Sequence, residues 1–161
     1  MNLSIKRLQS EFKQITKDKN YFYSISPSND NFFIWNFLLL GPPDTIFEGG
    51  IFKGKLEFPK EYPNRPPKLI FITEMFHPNI YKNGIVCISI LHEGVDEFGY
   101  ESVSDRWTPT QSINSIMMSV LSMLPDPNLE SPANVDAAIM CEKNYDKYKK
   151  MVYKIVSDSQ K

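Results

Sequence analysis

FFIWNFLLL, residues 32–40, is the stretch that decides the fold. Phe33, Trp35, Phe37 and Leu39 alternate with Phe32, Ile34 and Leu38. Both faces of an extended segment therefore carry apolar groups, which suits a strand in the middle of a sheet. The neighbouring runs have the same β-favouring composition: Tyr21 to Ser26 before it, Ile51 to Phe58 and Lys68 to Ile72 after it, with Pro, Gly and Asn between them. Four such runs at short spacing predict a four-stranded antiparallel meander.

Helical signals lie outside that block. All 12 prolines fall between Pro27 and Pro132, leaving both ends free of the strongest helix interrupter. Ile5, Leu8, Phe12 and Ile15 form one apolar stripe, with Lys6, Lys13 and Lys17 off it, and a first helix with this face is expected to cover one side of the sheet. Tyr145, Tyr148, Val152 and Ile155 repeat the stripe in a terminal helix flanked by lysines. Between them, Ile113, Ile116, Met117, Val120, Leu121 and Leu124 give a central helix a broad buried face, which Pro125 and Pro127 end. Thr108-Pro109-Thr110-Gln111 reads as its start, with Thr108 as N-cap and Pro109 in the first turn. The fold class is α+β.

Composition bounds the function. A chain of 161 residues with 42% hydrophobic and 23% charged residues has the make-up of one globular domain, not of a disordered tail or coiled coil. Eighteen basic residues against 19 acidic ones leave a net charge of -1, which gives a dominant nucleic-acid surface no electrostatic basis. Two cysteines, Cys87 and Cys141, cannot make a disulfide framework, and no charged-then-apolar leader opens the chain, so a reducing, cytoplasmic location is expected. The longest strongly apolar run, Phe37 to Leu40, is far below the roughly 20 residues of a membrane span, so no direct membrane insertion is expected.

The segment from Met75 to Trp107 lacks regular periodicity. Asn83-Gly84 is a tight-turn signal that folds the chain from Asn79 back toward Cys87. A side-chain amide and a thiol can meet there, although a small buried cysteine and an asparagine stabilising its own turn fit the same pattern. A cysteine hydrolase needs a base, and the only histidines, His77 and His92, read as structural. Cys87, His92, His77 and Cys141 lack the paired spacings of a zinc site, so no metal is expected.

Taken together, these residues resemble the ubiquitin-conjugating enzymes, whose signature is His-Pro-Asn, a turn, and a thioester cysteine eight residues after the Asn. Here that is His77-Pro78-Asn79 and Cys87. The resemblance spans essentially residues 1–161 as a single catalytic domain, and includes Tyr62-Pro63, Pro66-Pro67, Trp107-Thr108-Pro109 and the Pro-Asn segment ahead of the last helices. CISILHEG, GYES and SPANVDAA are most similar to the G-type members, which carry an acidic insertion after the cysteine, here at about residues 92–106, and serve degradation at the endoplasmic reticulum.

The resemblance implies that Cys87 takes ubiquitin from an activating enzyme as a thioester and passes it to lysine with a RING-type ligase. No cofactor is implied, ATP being used upstream. Asn79 is implied as an oxyanion donor or as the brace of the active-site turn, with Tyr81 and Ser131 lining the lysine channel. Ser131 stands where many members have Asp, and it also suits an N-cap ahead of Pro132. Glu93, Asp96, Glu97, Glu101 and Asp105 would form a gating or lysine-attracting loop, with a solvated charge run as the plainer reading. Lys6 and Arg7, Pro63 with Asn64, and Pro109 with Thr110 would meet the activating enzyme and ligase, Asn64 replacing a common apolar anchor. Ser24 matches a site of backside ubiquitin binding, and recruitment to the cytosolic face of the endoplasmic reticulum would require a partner.

Overall fold

The computed structural model describes residues 2–18, 20–94, 97–99, 102 and 105–161. Helix α1 (Leu3–Lys17) precedes strands β1 (Tyr23–Pro27), β2 (Ile34–Leu40), β3 (Ile51–Glu57) and β4 (Lys68–Phe71). Helices α2 (Ile113–Met123), α3 (Val135–Lys143) and α4 (Tyr145–Ser159) follow. The sheet runs β1-β2-β3-β4 with every neighbour antiparallel, the expected meander.

Strand β2 is internal, and one of its faces, Trp35, Phe37 and Leu39, is buried. Trp35 meets Phe12 of α1 edge-on at 5.8 Å and Phe58 at 5.7 Å, so the apolar stripe of α1 does cover this side of the sheet. The opposite face remains partly open: Ile34 and Leu38 are half-buried, while Asn36 and Leu40 are exposed. The strand also starts later than Phe32. Asn31 accepts from Phe33 N through its side chain at 2.9 Å and from Ile34 N through its carbonyl at 3.1 Å, which makes a turn of those residues.

All six expected core residues of α2 are buried, but the helix does not begin at Thr108. Ser112 is the N-cap, in a capping box with Ser115: Ser112 Oγ accepts from Ser115 N at 3.1 Å, and Ser115 Oγ accepts from Ser112 N at 2.8 Å. Residues 108–111 form a separate turn because Arg7 draws their carbonyls away, donating to Pro109 O at 2.9 Å and Gln111 O at 2.7 Å. Ser131 is likewise not a helix cap. Asn134 caps α3, accepting from Ala137 N at 3.1 Å, and Asn144 caps α4.

Arg7 belongs to a cluster centred on Glu11, which is 8% exposed. The Glu11 carboxylate accepts from Ile113 N at 2.7 Å, from Arg7 Nε at 3.2 Å and from the Tyr62 hydroxyl. Burial, reinforced by Glu11, raises the Tyr62 pKa, so the phenol stays protonated and donates. One carboxylate thus satisfies an orphan N–H of α2, holds a cation of α1 and fixes the 61–65 turn.

A second buried polar group ties the segment before the cysteine to α2. His77 is fully buried; Nδ1 accepts from Asn79 N at 2.9 Å, which leaves the proton on Nε2 for Met123 O and Leu124 O, both at 3.1 Å. The ring closes the C-terminal end of α2 and holds the His-Pro-Asn turn in the same contact. Burial lowers its pKa to about 4, the carbonyl bonds opposing the shift only in part.

Two outcomes are expected. Glu11→Ala leaves a buried N–H, a hydroxyl and a guanidinium without their acceptor and should lower unfolding free energy by about 3–5 kcal/mol in urea titrations, with Glu11→Gln costing less. For His77, the unfolded chain gains a proton below its ordinary pKa, which the folded chain refuses until pH falls near 4. The stabilisation due to the neutral ring is therefore full at neutral pH and lost on acidification. The stability gap between wild type and His77→Gln should narrow by about 2–3 kcal/mol between about pH 7 and about pH 4.5.

Candidate active site

Asn79 and Cys87 are brought together by a short hairpin. Tyr81 N donates to Ile85 O at 2.9 Å, Gly84 N to Tyr81 O at 2.8 Å and Cys87 N to Asn79 O at 2.8 Å, with Ile80 bridged to Val86. Gly84 takes φ +94°, and a Cβ there would sit 2.1 Å from Phe71 O, so position 84 needs glycine for conformation and for space. The close approach seats the turn on the end of β4, where Phe71 N donates to Gly84 O at 2.8 Å. Cys87 is therefore carried on a braced element, half-buried.

Beyond it, a single 3-10 turn (Ser89–Leu91) reverses the chain and returns His92 to the cysteine. His92 Nε2 lies 3.4 Å from Cys87 Sγ, within hydrogen-bonding reach for sulfur. This corrects the structural reading of His92. Turns of this kind have no hydrophobic period, so the return was not visible in the sequence.

Cys87, Asn79 and His92 line a cleft of about 340 Å³ together with Asp126, Asn128, Glu130 and Ser131. Asn79 is 4% exposed and its side chain is engaged: Nδ2 donates to Asn128 O at 2.8 Å and Oδ1 accepts from Asn128 N at 2.9 Å. Ala133 N and Asn134 N donate to Pro78 O at 2.8 and 3.0 Å, adding a second seam between the same segments. Ser131 does reach the cleft, whereas Tyr81 stands 45% exposed on the hairpin, outside the residues that line it. Asp126 and Glu130 supply carboxylates that the sequence reading did not assign. Their signal was the acidic residues on either side of Pro127-Asn128.

Of the acidic insertion, Asp96 and Glu101 lie outside the described residues, and Glu93, Glu97 and Asp105 are exposed. Glu93 is ion-paired: Arg65 donates through Nε at 3.0 Å and through Nη2 at 3.1 Å, and this holds the Glu93 carboxyl below its usual pKa. Asp105 accepts from Ser102 Oγ at 2.7 Å.

The expected docking residues share one region. Arg7, Pro63 and Asn64 line a groove between the start of α1 and the 61–65 turn, and Arg7 touches the carbonyl of Pro109, which is exposed like Thr110. Lys6 is exposed. The guanidinium of Arg7, by contrast, is spent largely on internal acceptors. Ser24 lies on the open face of the sheet, in a hollow with Asn36, Leu38 and Ile72. Among the described residues no helix is long and apolar enough to cross a membrane.

Residues 7–156 match the family model described as ubiquitin-conjugating enzyme. Over 160 residues, 99% of this chain and 96% of the relative, the sequence is 48% identical to probable ubiquitin-conjugating enzyme E2 7 of Caenorhabditis elegans. It is 49% identical to ubiquitin-conjugating enzyme E2 G2 of Homo sapiens over 97% of this chain and 96% of the relative. To ubiquitin-conjugating enzyme E2-18 kDa of Schizosaccharomyces pombe it is 46% identical, over 95% and 93%. A braced cysteine beside His-Pro-Asn, the meander that carries it and a family match across nearly the whole sequence agree: the chain belongs to the ubiquitin-conjugating enzymes, transferases, and is of the G type.

Proposed function

We propose that Cys87 is the thioester carrier of this enzyme, taking ubiquitin from an activating enzyme and passing it to a lysine amine together with a RING-type ligase. The observation that carries this reading is a half-buried thiol that lines one cleft together with His92, Asn79 and the carboxylate residues Asp126 and Glu130. The single domain, with its insertion at about residues 92–106, supplies every group the chemistry needs, with no bound cofactor. Likeness to the G-type members supports a role in protein degradation, including at the cytosolic face of the endoplasmic reticulum, reached from the cytoplasm through a partner.

In charging, Cys87 Sγ attacks the thioester carbonyl of activated ubiquitin while its proton passes to His92 Nε2, and the thiolate of the activating enzyme leaves. The bond made is of the same type as the bond broken, so the exchange is nearly isoenergetic and needs little driving force. In discharge, a neutral lysine amine attacks the same carbonyl. A C–N bond forms, the C–S bond breaks, the amine sheds a proton, and the imidazolium returns its proton to the departing sulfur.

Asp126 and Glu130, with Ser131 next along the chain, would orient the incoming lysine and accept its proton, a reading supported by their lining the same cleft as Cys87. Asn79 holds the segment that bears them to its own turn through Asn128, and its amide is the group nearest in kind to an oxyanion donor. The acidic residues of the insertion add a negative field at the entrance, which attracts the lysine but also favours its protonated form, so gating suits the loop better than simple attraction. Lys6, Arg7, Pro63, Asn64, Pro109 and Thr110 form the docking side, and Ser24 the backside contact.

Incubation with activating enzyme, ATP and ubiquitin should give an adduct on Cys87 that thiols reduce. Cys87→Ala should abolish it, and Cys87→Ser should form a slower, thiol-resistant oxyester; an adduct on Cys141 in the Cys87→Ala protein would overturn the assignment. Asn79→Ala should slow discharge to lysine by roughly 10²-fold. It should slow charging much less, as followed by single-turnover gels.

A further inference from the structure

We infer that Arg65 is a positioning residue for the nucleophile: its fork on Glu93 fixes the neck of the acidic insertion and so holds His92 against Cys87. The inference rests on the carrier reading above and deepens it. Arg65 lies on the turn that presents Pro63 and Asn64, 28 residues before its partner. Its Nε and Nη2 meet the two Glu93 oxygens at 3.0 and 3.1 Å, a bidentate geometry that fixes direction as well as distance. Glu93 is the chain neighbour of His92, so fixing its carboxylate also limits where the imidazole can go.

The other bonds at the neck make this restraint consequential. Trp107 N donates to His92 O at 2.8 Å, and Arg106 donates to Glu93 O at 2.8 Å and Gly94 O at 2.9 Å, closing the two limbs of the insertion on each other. Trp107 Nε1 donates to Pro63 O at 2.8 Å. The 61–65 turn therefore grips the neck twice. The Pro63 contact is buried with Trp107, whereas the Arg65 contact is about half exposed, so ions and docked partners can reach it. Glu61 lies 3.8 Å from the other arm of Arg65, an alternative partner within the same turn. Release of Glu93 leaves the turn and the Trp107 contacts in place and removes the side-chain part of the restraint on His92.

Alkylation of Cys87 by iodoacetamide measures this directly. The S–C bond forms, iodide leaves and His92 takes the thiol proton, with no ubiquitin or activating enzyme required. In a Cys141→Ser background at low ionic strength, Arg65→Ser and Glu93→Gln should each slow alkylation by about two- to fivefold, the scale of an exposed ion pair. The charge-reversed pair, Arg65→Glu with Glu93→Arg, should restore most of the rate. High salt should bring wild type down to the single variants. With His92→Gln, Arg65→Ser should have no further effect. Unchanged rates in both single variants, or an undiminished Arg65 effect without His92, would overturn the inference. The carrier reading is tested separately by ubiquitin charging of the wild type, so failure of one is distinguishable from failure of the other.

Discussion

One carboxylate organises the surface on which the rest of the molecule is assembled. Glu11 projects from α1 into the junction of three segments distant in sequence, and it accepts from Ile113 N, Arg7 and Tyr62 together. A buried charge is tolerable only when its lone pairs are satisfied, and here the donors come from the start of α2, from α1 itself and from the 61–65 turn. The arrangement sets where α2 begins. It also places the groove lined by Arg7, Pro63 and Asn64 in fixed relation to the helix whose far end receives His77. The buried polar groups therefore lie at the two ends of α2, one beside the 61–65 turn and one beside the His-Pro-Asn turn, with the apolar core of α2 between them.

The site itself divides into a rigid floor and an adjustable entrance. Below the thiol, the hairpin is held on β4 by a glycine that no other residue can replace without displacing Phe71. Beside it, Asn79 and Asn128 exchange two hydrogen bonds, which costs the amide some freedom to move and gives the cleft a fixed width. The entrance is built from exposed ion pairs and carbonyl contacts, whose strength depends on ions and on what docks nearby. For the carrier role proposed for Cys87, this division would shield a thioester while leaving an acceptor a way in.

What could be read in the sequence was whatever depends on near neighbours. β2, the α2 core stripe and the α4 stripe follow from periodicities of two and 3.6, and the meeting of Asn79 with Cys87 follows from Asn83-Gly84. The start of α2 was misplaced at Thr108 because the groups that pull residues 108–111 out of the helix, Arg7 and Glu11, lie about a hundred positions away and leave no local mark. Ser131 was a plausible cap by type, but the cap went to Asn134, where the chain first turns helical after its bonds to Pro78. His92 was missed because a 3-10 turn has too few residues to show a period, and the Asn79–Asn128 exchange because its partners lie 49 residues apart.

The hydrogen bond from Trp107 N to His92 O means that the insertion leaves and re-enters the fold at one point. In evolutionary terms, that makes the neck a splice junction. Segments of different length or composition could be exchanged beyond it without moving the limbs at its base, since lengthening a flexible loop costs only about 0.6 kcal/mol per doubling. Selection could then vary the insertion while Cys87, its turn and the groove of Arg7, Pro63 and Asn64 stayed unchanged.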